Sequence, residues 1–328
     1  MIALVDRADI SRPPPWGTRT ISLQHSLRGS LRLPRGIAGG LEDADIAVLH
    51  GGWTLGNVAV GVWCARAGIP FIVTTHGVYL PEVLARRALV KSVWASVLER
   101  PHLRRALAVH VFFTEEASSL RRFNVRMPTI VAPNGISLPA GQTWDGGSGG
   151  YLLWLGRFDP VHKGLDLLLR AMALIPLAER PVVRLHGPDW RKQKQRVLAL
   201  VDELGLRQRV LVGKPVYGDE KWRLMSAAAG CVYPSRWDAC PVAVSEAAAL
   251  GIPTLVTRYP LANFLASRGG AIQAEAEPSS IAVGIEQLLT DDAREVGRTG
   301  AEVARRELSW DAVANSWLYQ VRALLDQR

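Results

Sequence analysis

Short apolar runs rich in β-branched residues alternate with longer stretches of helical period along most of the chain, and this alternation restricts the fold more than any other feature. A strand that is apolar on both faces has to be covered on both, which helices flanking a parallel sheet achieve. In the first half the strand-like runs are Ile2 to Val5, Ile46 to His50, Phe71 to Thr74 and Val109 to Phe113. The pattern lapses in "PAGQTWDGGSGG", residues 139–150, which has linker composition and no apolar period. It then restarts with "YLLWLG", "GLDLLLRAMALI", "VVRLHG", "RVLVG", "CVYPS" and "PTLVT". Within the first helical stretch, Leu165, Leu168, Leu169 and Met172 recur at helical spacing and are expected to face a core. The expected organisation is α/β, with two doubly wound parallel-sheet domains at residues 1–140 and 151–309, a linker at 141–150 and a terminal helix at 310–328 that returns to the first domain. Residues 6–40, rich in Arg, Pro and Gly, are the part of the chain least readily assigned to an element.

Composition narrows the class. With 328 residues, 48% of them hydrophobic, the chain can bury a sizeable core in each of two domains. The formal charge is +9, and residues 1–140 hold sixteen Arg or Lys against nine Asp or Glu. Most of the excess therefore lies in the first half, and it favours an anionic partner: a lipid surface, a phosphorylated acceptor or nucleic acid. The basic and aromatic motifs of the common nucleic-acid modules are missing, so nucleic acid is not expected. Three cysteines, Cys64, Cys231 and Cys240, form neither a disulfide framework nor a zinc spacing and suit a reduced, cytoplasmic protein. The start "MIALVDRAD" lacks the order of a signal peptide, and "NVAVGVWCARAGIPFIVTTHG" is interrupted by Arg66, Gly68 and Pro70, short of the roughly 20 apolar residues of a spanning helix.

Two stretches carry chemistry. In "WLGRFDPVHKG", residues 154–164, a strand ends at Gly156 and a helix begins after Gly164, with Arg157 and Lys163 between them. Ligands of open α/β sheets bind at the carboxyl ends of strands, so two cations here could neutralise a departing diphosphate while the glycines admit close backbone approach. A solvated Arg and Lys on a surface loop fits the same residues. In "RWDACPVAVSEAAALGIP", residues 236–253, Pro241 suits the first helical position, Cys240 the cap, and Gly251 with Pro253 the stop. Asp238 then lies in the loop before the helix and Glu246 more than a turn inside it, too far apart for a close acid and base pair. Read alone, "SRWD" is a capping-box pattern and "SEAAAL" good helix sequence.

Together "YLLWLGRFDPVHKGLDLLLRAM", "CVYPSRWDACPVAVSEAAALGIPTLVT" and the upstream "VAPNGI" resemble the large retaining glycosyltransferase family of the GT-B fold, whose members assemble bacterial polysaccharide, lipopolysaccharide and glycolipid. The resemblance spans most of residues 43–320 and is strongest from Tyr151 to Thr257. It implies two Rossmann-like domains facing across a cleft, with the donor in the second and the acceptor in the first. It also implies a metal-independent hexosyl transfer with no cofactor, from a UDP-, GDP- or ADP-sugar to a glycan or lipid-linked acceptor. By position, Arg157 and Lys163 match the basic pair that holds the donor diphosphate. Glu246 matches the second acid of a Glu, seven residues, Glu motif and is expected to accept from the ribose hydroxyls. Asp238 stands for the first acid, which contacts the transferred sugar, and His76 in "TTHGVY" matches a histidine beside that sugar. Asn134 and Gly135 match a turn before the linker, backbone at Gly213, Lys214, Pro215 and Val216 is expected to contact the base, and Gly156, Pro241 and Val242 complete the donor site.

Three departures accompany the match. Asp238 is one methylene shorter than the usual Glu, Ala239 and Cys240 make a smaller surface beside the sugar, and "SRPPPWGTRT" is only a loose substitute for the family's glycine-rich loop. Asp43 and Asp45 in "EDADIAVLHGG" have the spacing of metal-binding carboxylates, yet they precede a strand instead of ending one and read as polar residues at its start. His50, His76 and His110 lie at or near strand ends without paired ligand spacing, so no metal site is assigned.

The stretch 84–105 sets Arg86, Arg87, Lys91, Arg100, Arg104 and Arg105 among Leu84, Leu89, Val93, Trp94, Val97 and Leu103. It suits either a solvated helix face or a helix lying on an anionic membrane, which would make the protein peripheral at the inner face. Two other functions fit the same scaffold: a sugar-nucleotide epimerase or hydrolase, and a degenerate nucleotide-sugar-binding scaffold protein.

Overall fold

The computed structural model describes residues 2–6, 19–25, 31, 34–35, 41 and 44–327. "SRPPPWGT" and Asp43 lie outside them. The chain divides into two compact units, one formed by Met1–Ala132 with Trp317–Arg328, the other by Pro133–Ser316. The division falls before the glycine-rich stretch 141–150, because the turn at Asn134 packs with the second unit: Ile136 bridges to Ser309, and its N–H donates to the Leu308 carbonyl (2.7 Å).

In the first unit, β1 (Ile2–Asp6) pairs in parallel with β2 (Arg19–His25), and β3 (Pro34–Arg35) joins β2 antiparallel. The main sheet follows as β4 (Ala47–His50), α1 (Leu55–Ala67), β5 (Phe71–Thr74), α2 (Pro81–Leu84), α3 (Ala88–Trp94), a π-helical turn at Ala95–Glu99, α4 (Arg100–Arg105), β6 (Ala108–Val111), α5 (Thr114–Arg122) and β7 (Thr129–Val131). Its four strands are parallel in the order β4-β5-β6-β7. Phe71, Val73, Val109 and Val111 pack with Cys64 and Leu103 on one face, whereas Ile72, Ala108 and Ile130 pack with Val321 on the other.

The second unit runs β8 (Tyr151–Leu155), α6 (Leu165–Leu174), β9 (Val182–His186), a short 3-10 turn at Trp190–Lys192, α7 (Lys194–Glu203), β10 (Val210–Val212), α8 (Gly218–Ser226), β11 (Gly230–Tyr233), α9 (Val242–Leu250), β12 (Thr254–Val256), α10 (Pro260–Ala266), β13 (Ile272–Gln273), α11 (Pro278–Leu288) and α12 (Ala293–Glu307). All six strands are parallel, in the order β10-β9-β8-β11-β12-β13. Leu165, Leu168, Leu169 and Met172 on α6 are fully buried, as their spacing predicts, and each such side chain contributes about 1.5–3 kcal/mol. The last helix, α13 (Trp310–Leu325), belongs to the first unit from Trp317 onward. There Gln320 fixes the edge strand β7 by accepting from the Val131 N–H (2.9 Å) and donating to its carbonyl (3.0 Å).

Two expectations need correction. Stretch 84–105 is not one helix: Arg87 takes a left-handed conformation (φ 55°) between α2 and α3, and the π turn adds a residue before α4. Buried Glu99 holds that turn by accepting from the Trp53 N–H (3.0 Å), the Trp94 indole N–H (2.9 Å) and the Tyr79 hydroxyl. Trp94 thus points to Glu99, Leu103 is buried, and the exposed apolar row is Leu89, Val90, Val93 and Val97. The second correction concerns α9, which begins at Val242 with Pro241 as its cap. Pro241 is extended (φ −67°, ψ 119°), and its carbonyl accepts from the N–H groups of Val244 (3.0 Å) and Ser245 (3.3 Å).

Candidate donor-binding site

In the second unit the chain winds outward from β8 to β10 and returns to place β11 beside β8, so the sheet reverses between these two strands. Ligand crevices of open α/β sheets form at such a reversal. The loop after β8 carries Gly156, Arg157 and Lys163; the loop after β11 carries Asp238, then Pro241 and Val242 at the start of α9. Lys163 Nζ donates to Asp238 Oδ2, joining the two loops through side chains that are only 17% and 16% exposed. One turn into α9, Glu246 accepts from Lys221 Nζ of α8 (2.6 Å). The two acids thus hold separate cations. No side chain caps α9, whose first N–H groups offer an anion the positive end of a helix dipole.

The glycines of the first loop serve the backbone. Gly164 has φ +65°, and a Cβ on it would sit 1.7 Å from the Pro234 carbonyl oxygen, which ties the start of α6 to the end of β11. Gly156 donates its N–H to His186 O (3.1 Å), and its own carbonyl lies 1.6 Å from where a Cβ on Gly187 would stand. These close approaches join the loop after β8 to the ends of β9 and β11.

Arg157 lies over Trp190 (4.8 Å to the ring centroid) and donates to His162 Nδ1 (2.9 Å). A guanidinium only donates, so His162 Nδ1 accepts and the ring proton belongs on Nε2. Burial, then Lys163, pulls the His162 pKa down to about 4. Asn134 Nδ2 donates to the Cys240 carbonyl (3.4 Å), and Gly135 sits against the Trp310 ring. After β10, Gly213 O accepts from Lys194 Nζ (2.7 Å) and Lys214 O from His186 Nδ1 (3.0 Å), while Lys214 and Pro215 are exposed and Val216 half-buried.

His76 belongs to the first unit. His76 (φ 50°) and Gly77 (φ 74°) form a left-handed turn after β5. His76 Nε2 shares a hydrogen bond with His50 Nδ1 (2.9 Å), and burial lowers the pKa of both, as it does that of His110. Beneath the turn, buried Glu116 accepts from the Phe112 (2.9 Å) and Phe113 (3.2 Å) N–H groups and the Thr75 hydroxyl (3.3 Å). Burial pushes its carboxyl up to about 7.

Lys221, Trp190 and Glu116 were not among the expected site residues. Lys221 and Trp190 meet partners 25 and 33 positions away, with no local pattern to mark them, whereas Glu116 caps the start of α5 locally and reaches Thr75 41 positions away. Among the described residues no group of three His, Cys, Asp or Glu is placed to hold a metal ion. Asp45 falls in a bend before β4.

Comparison with known proteins follows the same division. Residues 147–303 match the family model "Glycosyl transferases group 1", and residues 5–135 match a "Glycosyl transferase 4-like domain". A D-inositol 3-phosphate glycosyltransferase of Xylanimonas cellulosilytica is 32% identical over 174 residues, covering 51% of this chain and 40% of that protein. An MMP alpha-(1->4)-mannosyltransferase of Mycolicibacterium hassiacum is 25% identical over 304 residues, 87% of this chain and 72% of that protein. Among solved structures, sucrose-phosphate synthase from Thermosynechococcus elongatus aligns with a TM-score of 0.76 at 22% identity, covering 100% of this chain and 89% of that one. Anabaena HepE in complex with UDP-glucose aligns at 0.75 and 16% identity, covering 94% and 86%. These structural likenesses establish the GT-B fold.

Proposed function

The chain belongs to the group 1 glycosyl transferases of the GT-B fold, and from that premise we propose that it transfers a sugar from a nucleotide-sugar donor to a glycan or lipid-linked acceptor of bacterial polysaccharide or glycolipid assembly, with retention at the anomeric carbon and without a metal. The observation that carries the proposal is the Lys163 and Asp238 pair at the sheet reversal. In this reading Lys163, Arg157 and the N–H groups at the start of α9 stabilise the diphosphate as its bond to the sugar breaks. The acceptor oxygen attacks the same face, and its proton passes to the departing phosphate oxygen. Asp238 and His76 orient the sugar, Glu246 receives the ribose hydroxyls, and the backbone at 213–216 meets the base. Because the HepE structures contain UDP, UDP-glucose heads the donor panel.

The test is turnover of UDP-, GDP- and ADP-hexoses with glycan and lipid-linked acceptors, by wild type and Lys163→Ala. Acceptor-dependent formation of an α-linked product from an α-linked donor, lost in the variant, is expected. Release of free sugar or isomerised nucleotide without acceptor would instead favour the hydrolase or epimerase, and binding without turnover the scaffold.

A membrane contact fits the exposed row Leu89, Val90, Val93 and Val97, which are 66–86% exposed and lie beside exposed Arg86 and Arg87. Aliphatic side chains would enter the interface while each nearby arginine adds about 1 kcal/mol on an anionic surface. We expect pelleting with anionic but not neutral vesicles, and Val93→Glu to abolish it; equal recovery on both lipids would refute the contact. No helix among the described residues is long and apolar enough to cross a membrane.

A further inference from the structure

Arg157 is one rung of a ladder of four side chains drawn from three loops. Trp190, from the turn after β9, lies under its guanidinium at 4.8 Å. His162 accepts from its Nη2 at 2.9 Å, and the His162 ring stacks on Trp237 with centroids 4.7 Å apart and planes 4° from parallel. Trp237 immediately precedes Asp238. The last two rungs are tied from behind: Arg236 donates its backbone N–H to His162 O (3.0 Å), and its guanidinium grips Asp166 of α6 through two hydrogen bonds of 2.7 Å. Asp159 Oδ1 accepts from the His162 N–H (3.4 Å), while Oδ2 lies 3.9 Å from Arg157.

An arginine carries about 2 kcal/mol of rotamer entropy, so a side chain that is 39% exposed should wander unless something fixes it. Here a π face fixes one side of the plane and a ring acceptor fixes one nitrogen. Arg157 Nε and His162 Nε2 are left as buried donors with no partner among the described residues. A cation fixed in this way on the loop that also carries Lys163 is what a growing negative charge requires, since no reorganisation is then needed as the charge develops.

We propose that Trp190, His162 and Trp237 are positioning residues that preset the Arg157 guanidinium for the donor diphosphate. The proposal rests on reading this loop as the diphosphate site. His162 acts as a neutral acceptor: a second ring proton would remove the Arg157 bond and set a cation between Arg157 and Lys163. Lysine cannot replace Arg157, because an ammonium offers no planar fork to hold both contacts.

The test compares Trp190→Ala, Trp190→Phe, His162→Leu and His162→Gln for kcat, donor KM and Tm, alone and in an Arg157→Ala background. Acting through Arg157 on the transition state, Trp190→Ala and His162→Leu should each lower kcat about 10-fold or more with donor KM changed less than about 3-fold. Trp190→Phe and His162→Gln keep a ring face and an acceptor and should recover part of the loss. In the Arg157→Ala background, neither substitution should cost anything further. Trp190 is 41% exposed, so its variants should keep the wild-type Tm. If the single variants match wild type while Arg157→Ala is crippled, the proposal is wrong and the diphosphate site stands. The proposal fails equally if His162→Leu and Trp190→Ala cost the same factor with and without Arg157. Full activity of Arg157→Ala would overturn the diphosphate site and the proposal together.

Discussion

The strand ends of the two units present opposite kinds of chemistry. In the second unit the loops after β8 and β11 hold the charged pair Lys163 and Asp238, and α8 and α9 hold a second, Lys221 and Glu246, all four half-buried or nearly buried. In the first unit the strand ends carry three histidines with depressed pKa values and one buried acid that no cation contacts among the described residues, Glu116. Charge at a strand end suits an anionic donor, whose diphosphate can exchange with Asp238 for Lys163. A neutral, backbone-strained turn such as His76 and Gly77 suits orientation by hydrogen bonds.

The largest effect should come from breaking the charged side. Lys163→Ala should lower kcat/KM for the donor about 10³-fold, near 4 kcal/mol. His76→Ala, measured in the same assay, should cost less. Gly164→Ala is next: a left-handed conformation and a clash with a carbonyl should cost about 3 kcal/mol in chemical denaturation.

The buried titratable groups of the first unit sharpen the contrast. His102 is buried with both ring nitrogens unpartnered and its pKa lowered to about 4 by burial and Arg105. From pH 6.5 down to about 4 the unfolded chain binds a proton that folded His102 refuses, so this histidine costs up to about 3 kcal/mol of stability as pH falls. Glu116 does the reverse: its folded pKa is raised, and stability falls by a similar amount as pH rises from 4.5 to about 7. The two slopes oppose each other between pH 4.5 and 6.5. His102→Leu should remove its own slope, so that relative to wild type the variant's stability falls with pH across that window by about 2–3 kcal/mol, read by denaturant titration of both proteins at each pH. The smallest effect is expected of Asp238→Glu, which restores the usual residue and should change donor kcat/KM by about 3-fold or less.

Much of the fold, and the placing of the candidate site's loops, is legible in the sequence alone. Strands ending in Gly156 and before Pro234, and cations placed just beyond them, are local patterns, and local patterns survive folding. The cap of α9 shifts by one residue because extended Pro241 supplies a carbonyl instead of a helical turn. Stretch 84–105 misleads because its period carries no mark of the π turn, which depends on Glu99 finding Tyr79 and Trp53 from another loop. For the same reason Lys221 and Trp190 carry no local signal: each reaches its partner across the fold.

Calorimetric titration of UDP, GDP and ADP into wild type, Lys163→Ala and His76→Ala tests the central claim, that the second unit alone holds the diphosphate through charge. The nucleotide that binds wild type should bind Lys163→Ala at least about 10-fold more weakly and His76→Ala with unchanged affinity. Equal affinity for wild type and Lys163→Ala, or an equal loss in His76→Ala, would contradict it.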